Sequence, residues 1–190
     1  MNVPNRLTLS RLALTLAFLV ALFSEIPFGD TAALFFFCLA SLTDYYDGKI
    51  ARRDKLITDF GILMDPLADK ILICSAFIAF VGRGLIPAWM VVVIVSRELA
   101  ITGLRLLAAN KQVVLAAEGC GKHKTISQIV AIIAGLVFAS YPQWGAWAKW
   151  AFDPWVPGVT EISKWVAVLL TCVSGVLYLW RNRALYLNDI

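Results

Sequence analysis

The chain has 190 residues, of which 60% are hydrophobic, and a formal net charge of +4; its mean hydropathy is +0.76. A soluble domain would be nearer half apolar, so these values exclude an ordinary soluble enzyme and fit one polytopic membrane domain spanning residues 1–190. The modest positive charge reads as membrane topology and not as a nucleic-acid footprint. The scattered Cys38, Cys74, Cys120 and Cys172, with no Cys-x-x-Cys, indicate neither a zinc site nor a disulfide framework.

The chain opens with MNVPNRLTLSRL, where polar and apolar residues alternate at helical spacing. This predicts a short interfacial helix with Leu7 and Leu12 toward lipid and Arg6 and Arg11 toward phosphates. Six apolar segments follow, at about 7–25, 31–50, 64–82, 86–108, 124–142 and 161–180. Each is close to the roughly 20 residues a helix needs to cross a bilayer, so the expected fold class is an all-α integral membrane protein with six transmembrane helices. The first segment runs on into further spans without a small-residue cleavage site, and no removable signal peptide is expected. With both termini in the cytoplasm, only Arg83, Lys149 and Lys164 of the 17 Lys and Arg residues fall outside, which is the bias of the positive-inside rule. The outer stretch 141–160 carries Trp144, Trp147, Trp150 and Trp155, the composition of an interfacial aromatic belt.

The uncharged runs 31–43, 71–82 and 84–96 fix depth. Each takes its helix about 20 Å inward before the first inner charge, roughly two-thirds of a hydrocarbon core about 30 Å thick. Asp44, Asp69 and Arg97 are thereby expected at one level near the cytoplasmic boundary, facing a polar cavity and not lipid.

Four carboxylates stand at that level. Asp44 and Asp47 are three apart and share a helix face; Asp65 and Asp69 are four apart and share another. Two such pairs on successive helices make an oxygen-rich cluster of the kind that hard cations such as Mg2+ or Mn2+ prefer. Without a cation, four close carboxylates would raise one another's pKa values. Gly48 and Ala51 leave room for a flat group against the backbone, Arg52 adds a cation for phosphate, and Gly61 eases the connection between the two helices. Pro66 is tolerated if the third helix starts near 62–65.

Together Asp44, Asp47, Gly48, Ala51, Arg52, Gly61, Asp65 and Asp69 spell D-x2-D-G-x2-A-R-x8-G-x3-D-x3-D. This pattern resembles the full signature of the CDP-alcohol phosphotransferases, and the resemblance covers nearly the whole chain. It implies the fold of that family and transfer of a substituted phosphate from a CDP-linked donor to an alcohol, with release of CMP. It also implies two divalent ions held by Asp44, Asp47, Asp65 and Asp69, and a donor site at Asp47, Gly48, Ala51, Arg52 and Gly61. Asp69 closes the pattern where family members assign the catalytic base. The resemblance further implies a homodimer in a bacterial cell membrane with its site on the cytoplasmic side.

Three further stretches, NVPNRLTLSR, SRELAITGLR (96–105) and GKHKT (121–125), are similar to bacterial members that join CDP-diacylglycerol to glycerol 3-phosphate. An anionic acceptor also fits the charges. Arg97 and Arg105 are eight apart on α-helical spacing, and Lys122 and Lys124 open the fifth span, where backbone N–H groups favour anions. These four are the expected acceptor-phosphate ligands. His123 reads as an interfacial polar residue. Other acceptors (inositol phosphate, serine or phosphatidylglycerol) remain open at this level, since only the acceptor residues distinguish them. An intramembrane prenyltransferase would not require the D-G-x2-A-R element, and a transporter would more often show broken helices near mid-membrane.

Overall fold

Apolar runs free of internal helix breakers become the long helices of this protein. The computed structural model describes residues 3–24, 26–54, 59–112 and 120–187; the side chains of 3–8, 44–54, 59–66, 69, 110, 120–122, 184 and 187 lie outside the description. The long helices are α1 (Val3–Phe23), α2 (Gly29–Asp54), α3 (Asp59–Gly82), α4 (Ala88–Asn110) and α5 (Cys120–Ser140), with α7 (Val156–Arg181) after a 3-10 turn at Tyr141–Trp144 and the short α6 (Ala146–Phe152). A final short helix, α8, covers Ala184–Leu187. No strand occurs among the described residues. Each of the six expected apolar segments overlaps one long helix.

Two local expectations are corrected. The N-terminal segment leads into the span without a break, as the first turns of α1, because no glycine or proline interrupts the chain between Pro4 and Phe23. Arg11, expected at the headgroups, is 2% exposed and lies inside the bundle, and its carbonyl accepts the Thr15 hydroxyl at 2.8 Å. In addition, α3 begins at Asp59, earlier than expected, so Pro66 falls in the helix interior. Residue 66 has no amide to donate to the carbonyl of residue 62.

At one end of the bundle, Asp30 in the first turn of α2 receives both Nη atoms of Arg83, Nη2 at 3.2 Å, and Gln143 Nε2 at 3.0 Å. Arg83 also donates to the Leu22 carbonyl at 3.2 Å, and Trp144 Nε1 donates to Thr31 Oγ1 at 2.8 Å. Lys164 of α7 donates to the Leu85 carbonyl at 2.8 Å and pairs with Glu161. These contacts gather the α1–α2, α3–α4 and α5–α7 connections at this end. The α2–α3 connection and the second half of α4 therefore lie at the other end.

Between the ends sits an apolar core of Phe18, Phe37, Ala76, Phe77, Phe80, Ile94, Ile132 and Leu136. The rings of Phe18 and Phe37 pack with centroids 5.6 Å apart. Phe80 lies so close to α5 that a Cβ on Gly135 would be 2.5 Å from its Cε2.

Inside and outside are reversed along α7. Its buried positions include Thr160, Ser163, Lys164, Thr171, Ser174 and Gly175, whereas Ile162, Leu169, Val173, Val176 and Trp180 are exposed. Water would penalise that arrangement; hydrocarbon favours it. Among the described residues, His123–Trp144 and Val156–Arg181 are long and apolar enough to cross a membrane. Near the Asp30 end, Phe152 packs against Tyr141, Trp144, Trp147 and Trp155 with centroids 5.6–6.4 Å apart, while Trp150 is 85% exposed. The tryptophans thus form a packed, outward-facing cluster.

Candidate active site

The signature pattern falls on two helices that touch one another. Asp44, Asp47, Gly48, Ala51 and Arg52 occupy the last turns of α2, and Gly61, Asp65 and Asp69 occupy the first turns of α3. The observed helical backbone places Asp44 with Asp47, and Asp65 with Asp69, on one face of its helix in each case. The side chains of all eight lie outside the described residues.

Immediately after Asp69, Lys70 hydrogen-bonds to Thr102 Oγ1 of α4, and that hydroxyl in turn donates to the Glu98 carbonyl at 2.7 Å. This contact ties the carboxylate-bearing part of α3 to the second half of α4. One turn away, a charged cluster joins three helices. Glu98 of α4 pairs with Lys124 of α5, and its Oε1 also lies 3.2 Å from Nη1 of Arg97. Arg97 Nη2 donates to Ser174 Oγ of α7 at 3.2 Å. The side chains of Glu98 and Lys124 are 9% and 6% exposed. Charges this deep persist only when paired.

The cluster continues as a polar seam. Ser174 Oγ donates to the Thr171 carbonyl at 3.2 Å, and Gln128 Nε2 donates to Thr171 Oγ1 at 3.1 Å. Buried polar residues therefore occur toward both ends of the bundle, around Asp30 and Lys164 at one and around Glu98, Lys124, Gln128, Thr171 and Ser174 toward the signature, with the apolar core between them.

Of the four expected acceptor cations, Arg97 and Lys124 come together through Glu98. Arg105 lies two turns further along α4, about 12 Å away along the axis. It is exposed, with its guanidinium 5.7 Å from the Tyr178 ring centroid and its Nε donating to the Tyr178 hydroxyl at 3.4 Å. Ser174 and Tyr178 are four apart on α7, so both arginines address the same face of that helix. The side chain of Lys122 lies outside the description. His123 is exposed.

Sequence reasoning missed Glu98, Ser174, Gln128 and Thr171. Glu98 carried a legible signal: it is the only acidic residue of α4, and an acid in an apolar run is informative for the reason already applied to the aspartates. The hydroxyl and amide residues gave none, because such residues are common in buried helices.

Chemically, the region offers an oxygen-only donor set on α2 and α3 beside a cationic cluster on α4 and α5. Carboxylates are the ligand type that hard divalent cations prefer, and guanidinium and ammonium groups the type that recognises phosphate.

The family model described as CDP-alcohol phosphatidyltransferase matches residues 1–173. The chain is 40% identical over 193 residues, 95% of each protein, to the CDP-diacylglycerol–glycerol-3-phosphate 3-phosphatidyltransferase of Bacillus subtilis. It is 32% identical to proteins of the same name from Rickettsia bellii, over 93% of each chain, and from Escherichia coli K12, over 96% of each.

Proposed function

Because the chain belongs to the CDP-alcohol phosphatidyltransferase family, we propose that it transfers the phosphatidyl group of CDP-diacylglycerol to sn-glycerol 3-phosphate, giving phosphatidylglycerophosphate and CMP. One observation supports this reading: the helices that bear the carboxylate pattern are α2 and α3, and α3 packs against α4, whose cations Arg97 and Arg105 suit a phosphate-bearing alcohol. The relatives with this printed activity match over almost their whole length.

In this reading Gly48 and Ala51 admit the cytidine nucleotide, while Arg52, Asp47 and Gly61 complete the donor site. Asp44, Asp47, Asp65 and Asp69 are the residues that would hold divalent cations, and their all-carboxylate chemistry fits Mg2+ or Mn2+. When bound, two such ions supply positive charge to the pyrophosphate and to the departing CMP. Arg97, Arg105, Lys122 and Lys124 hold the acceptor phosphate. Asp69 takes the proton from the acceptor hydroxyl as its oxygen bonds to the phosphorus on the diacylglycerol side and the bond from that phosphorus to CMP breaks. The chain crosses a bacterial cell membrane six times as a homodimer, with both termini and the site facing the cytoplasm.

The test is an acceptor panel. Purified protein in detergent receives CDP-diacylglycerol and a divalent cation with glycerol 3-phosphate, inositol phosphate, serine or phosphatidylglycerol. CMP release with glycerol 3-phosphate alone is expected. Release with another acceptor alone would reassign the substrate, and no release with any of them would remove the enzyme reading.

A further inference from the structure

We infer that Glu98 is the positioning residue of the acceptor-phosphate site, an assignment that rests on the acceptor reading above. Three observations lead to it. First, Glu98 is a buried carboxylate shared by two cations from different helices, Arg97 beside it on α4 and Lys124 on α5. Arg97 and Lys124 are like charges. Brought together without a counter-ion in a poorly hydrated interior, they would repel and turn apart. Glu98 holds both and leaves the three groups with a net positive charge.

Second, the contacts of Arg97 are spent on one part of its donor set. A guanidinium has five N–H groups. Among the described residues, Nη1 reaches Glu98 and Nη2 reaches Ser174, while the buried Nε has no partner. Nε faces the backbone of Gly175, but each Nη carries a second N–H, so the arginine is fixed in place with Nη donors still to give. An oxyanion is the ligand that such donors recognise, and arginine matches phosphate geometry particularly well.

Third, Glu98 is linked to the signature helix. Lys70, which follows Asp69, bonds to Thr102, and Thr102 bonds to the Glu98 carbonyl. The turn carrying Glu98 is therefore registered against the turn carrying Asp69. A residue that sets the direction of the acceptor cations is also tied to the helix expected to supply the base. Glu98 itself, as an anion, does not bind the phosphate; it acts through Arg97 and Lys124.

Steady-state kinetics with both substrates varied, on purified full-length protein in detergent, test the assignment. Glu98→Gln keeps the shape and removes the charge. The expected result is a KM for glycerol 3-phosphate raised about tenfold or more, with kcat and the KM for CDP-diacylglycerol within about threefold of the wild type. Glu98→Asp, which restores charge on a shorter arm, should give a smaller rise. Inorganic phosphate, used as a competitor of the acceptor, should inhibit Glu98→Gln more weakly than the wild type. An unchanged or lowered acceptor KM in Glu98→Gln overturns the assignment, as does an equal loss in both KM values and kcat. If Glu98→Gln does not fold, Glu98→Asp alone decides, a selective rise in acceptor KM supporting the role and unchanged values overturning it. A wild-type enzyme that forms no product with glycerol 3-phosphate overturns the acceptor reading itself; a normal wild type beside an unaffected variant overturns the Glu98 role alone.

Discussion

A β-carbon on Gly175 would stand 2.8 Å from Cγ of Arg97 and 3.8 Å from its Nε. The bare backbone of α7 at this point is the surface on which the stem of Arg97 lies, and Ser174 beside it accepts the Nη2 donor at 3.2 Å. Gly175 and Arg97 are distant in sequence, yet the space a side chain at position 175 would need is taken by Arg97.

Gly175→Ala should therefore act on the acceptor site without touching any charge. Cγ is close to the root of the side chain, so Arg97 must change rotamer to make room, at a cost of about 1–3 kcal/mol. That change breaks the contact with Ser174. The acceptor KM is expected to rise several-fold while donor KM holds. Unchanged kinetics would mean that the guanidinium returns to its place from a different rotamer.

Removing divalent cations with excess chelator should abolish CMP release, and adding Mg2+ or Mn2+ should restore it. Asp44→Asn and Asp65→Asn preserve side-chain shape but subtract a ligand charge, and each should lower turnover by about 100-fold or more. Full activity in chelator would dismiss the metal role of the four aspartates.

Asp69→Asn should still bind CDP-diacylglycerol but lose turnover, by about 100-fold to 10,000-fold if the residue is the general base. Equilibrium binding of the donor separates the two possible roles. If donor and metal binding disappear with activity, Asp69 serves mainly as a ligand, and His123, exposed in the opening turns of α5, is the next base to examine.

Gly135→Ala should destabilise the bundle. Its new methyl would fall 2.5 Å from Cε2 and 3.0 Å from Cζ of the buried Phe80, and the surrounding core leaves that ring little room to move. A loss of about 1–3 kcal/mol is expected, read as a lower melting temperature in detergent, with KM values unaltered in the protein that remains folded. A melting temperature equal to the wild type would show that α3 and α5 part easily at this level.

The six long helices were legible in the chain because hydrophobic run length is a local quantity, and each expected segment overlaps one of them. The signature was legible as spacing along α2 and α3, since D-x2-D on one helix and D-x3-D on the next need only helical periodicity to share a face; its side chains lie outside the described residues. Two local details were misread. Arg11 was assigned to the headgroups although α1 turns it into the bundle, and Pro66 was assumed to sit in a first turn when α3 begins several residues earlier.

What the sequence by itself determined was thus the location of the helices and the composition of each, together with the carboxylate spacing and the family membership that follows from it. What only the tertiary structure decided was which charges meet. Arg11 looked like a headgroup contact and is buried, and Lys124 looked like one of four equivalent cations and is paired with Glu98. Arg97 reaches Ser174, 77 positions away, and rests on Gly175. Such contacts depend on how each helix is rotated and how closely its neighbours approach. Those quantities are set by packing among all the helices together, and no local stretch of sequence contains them.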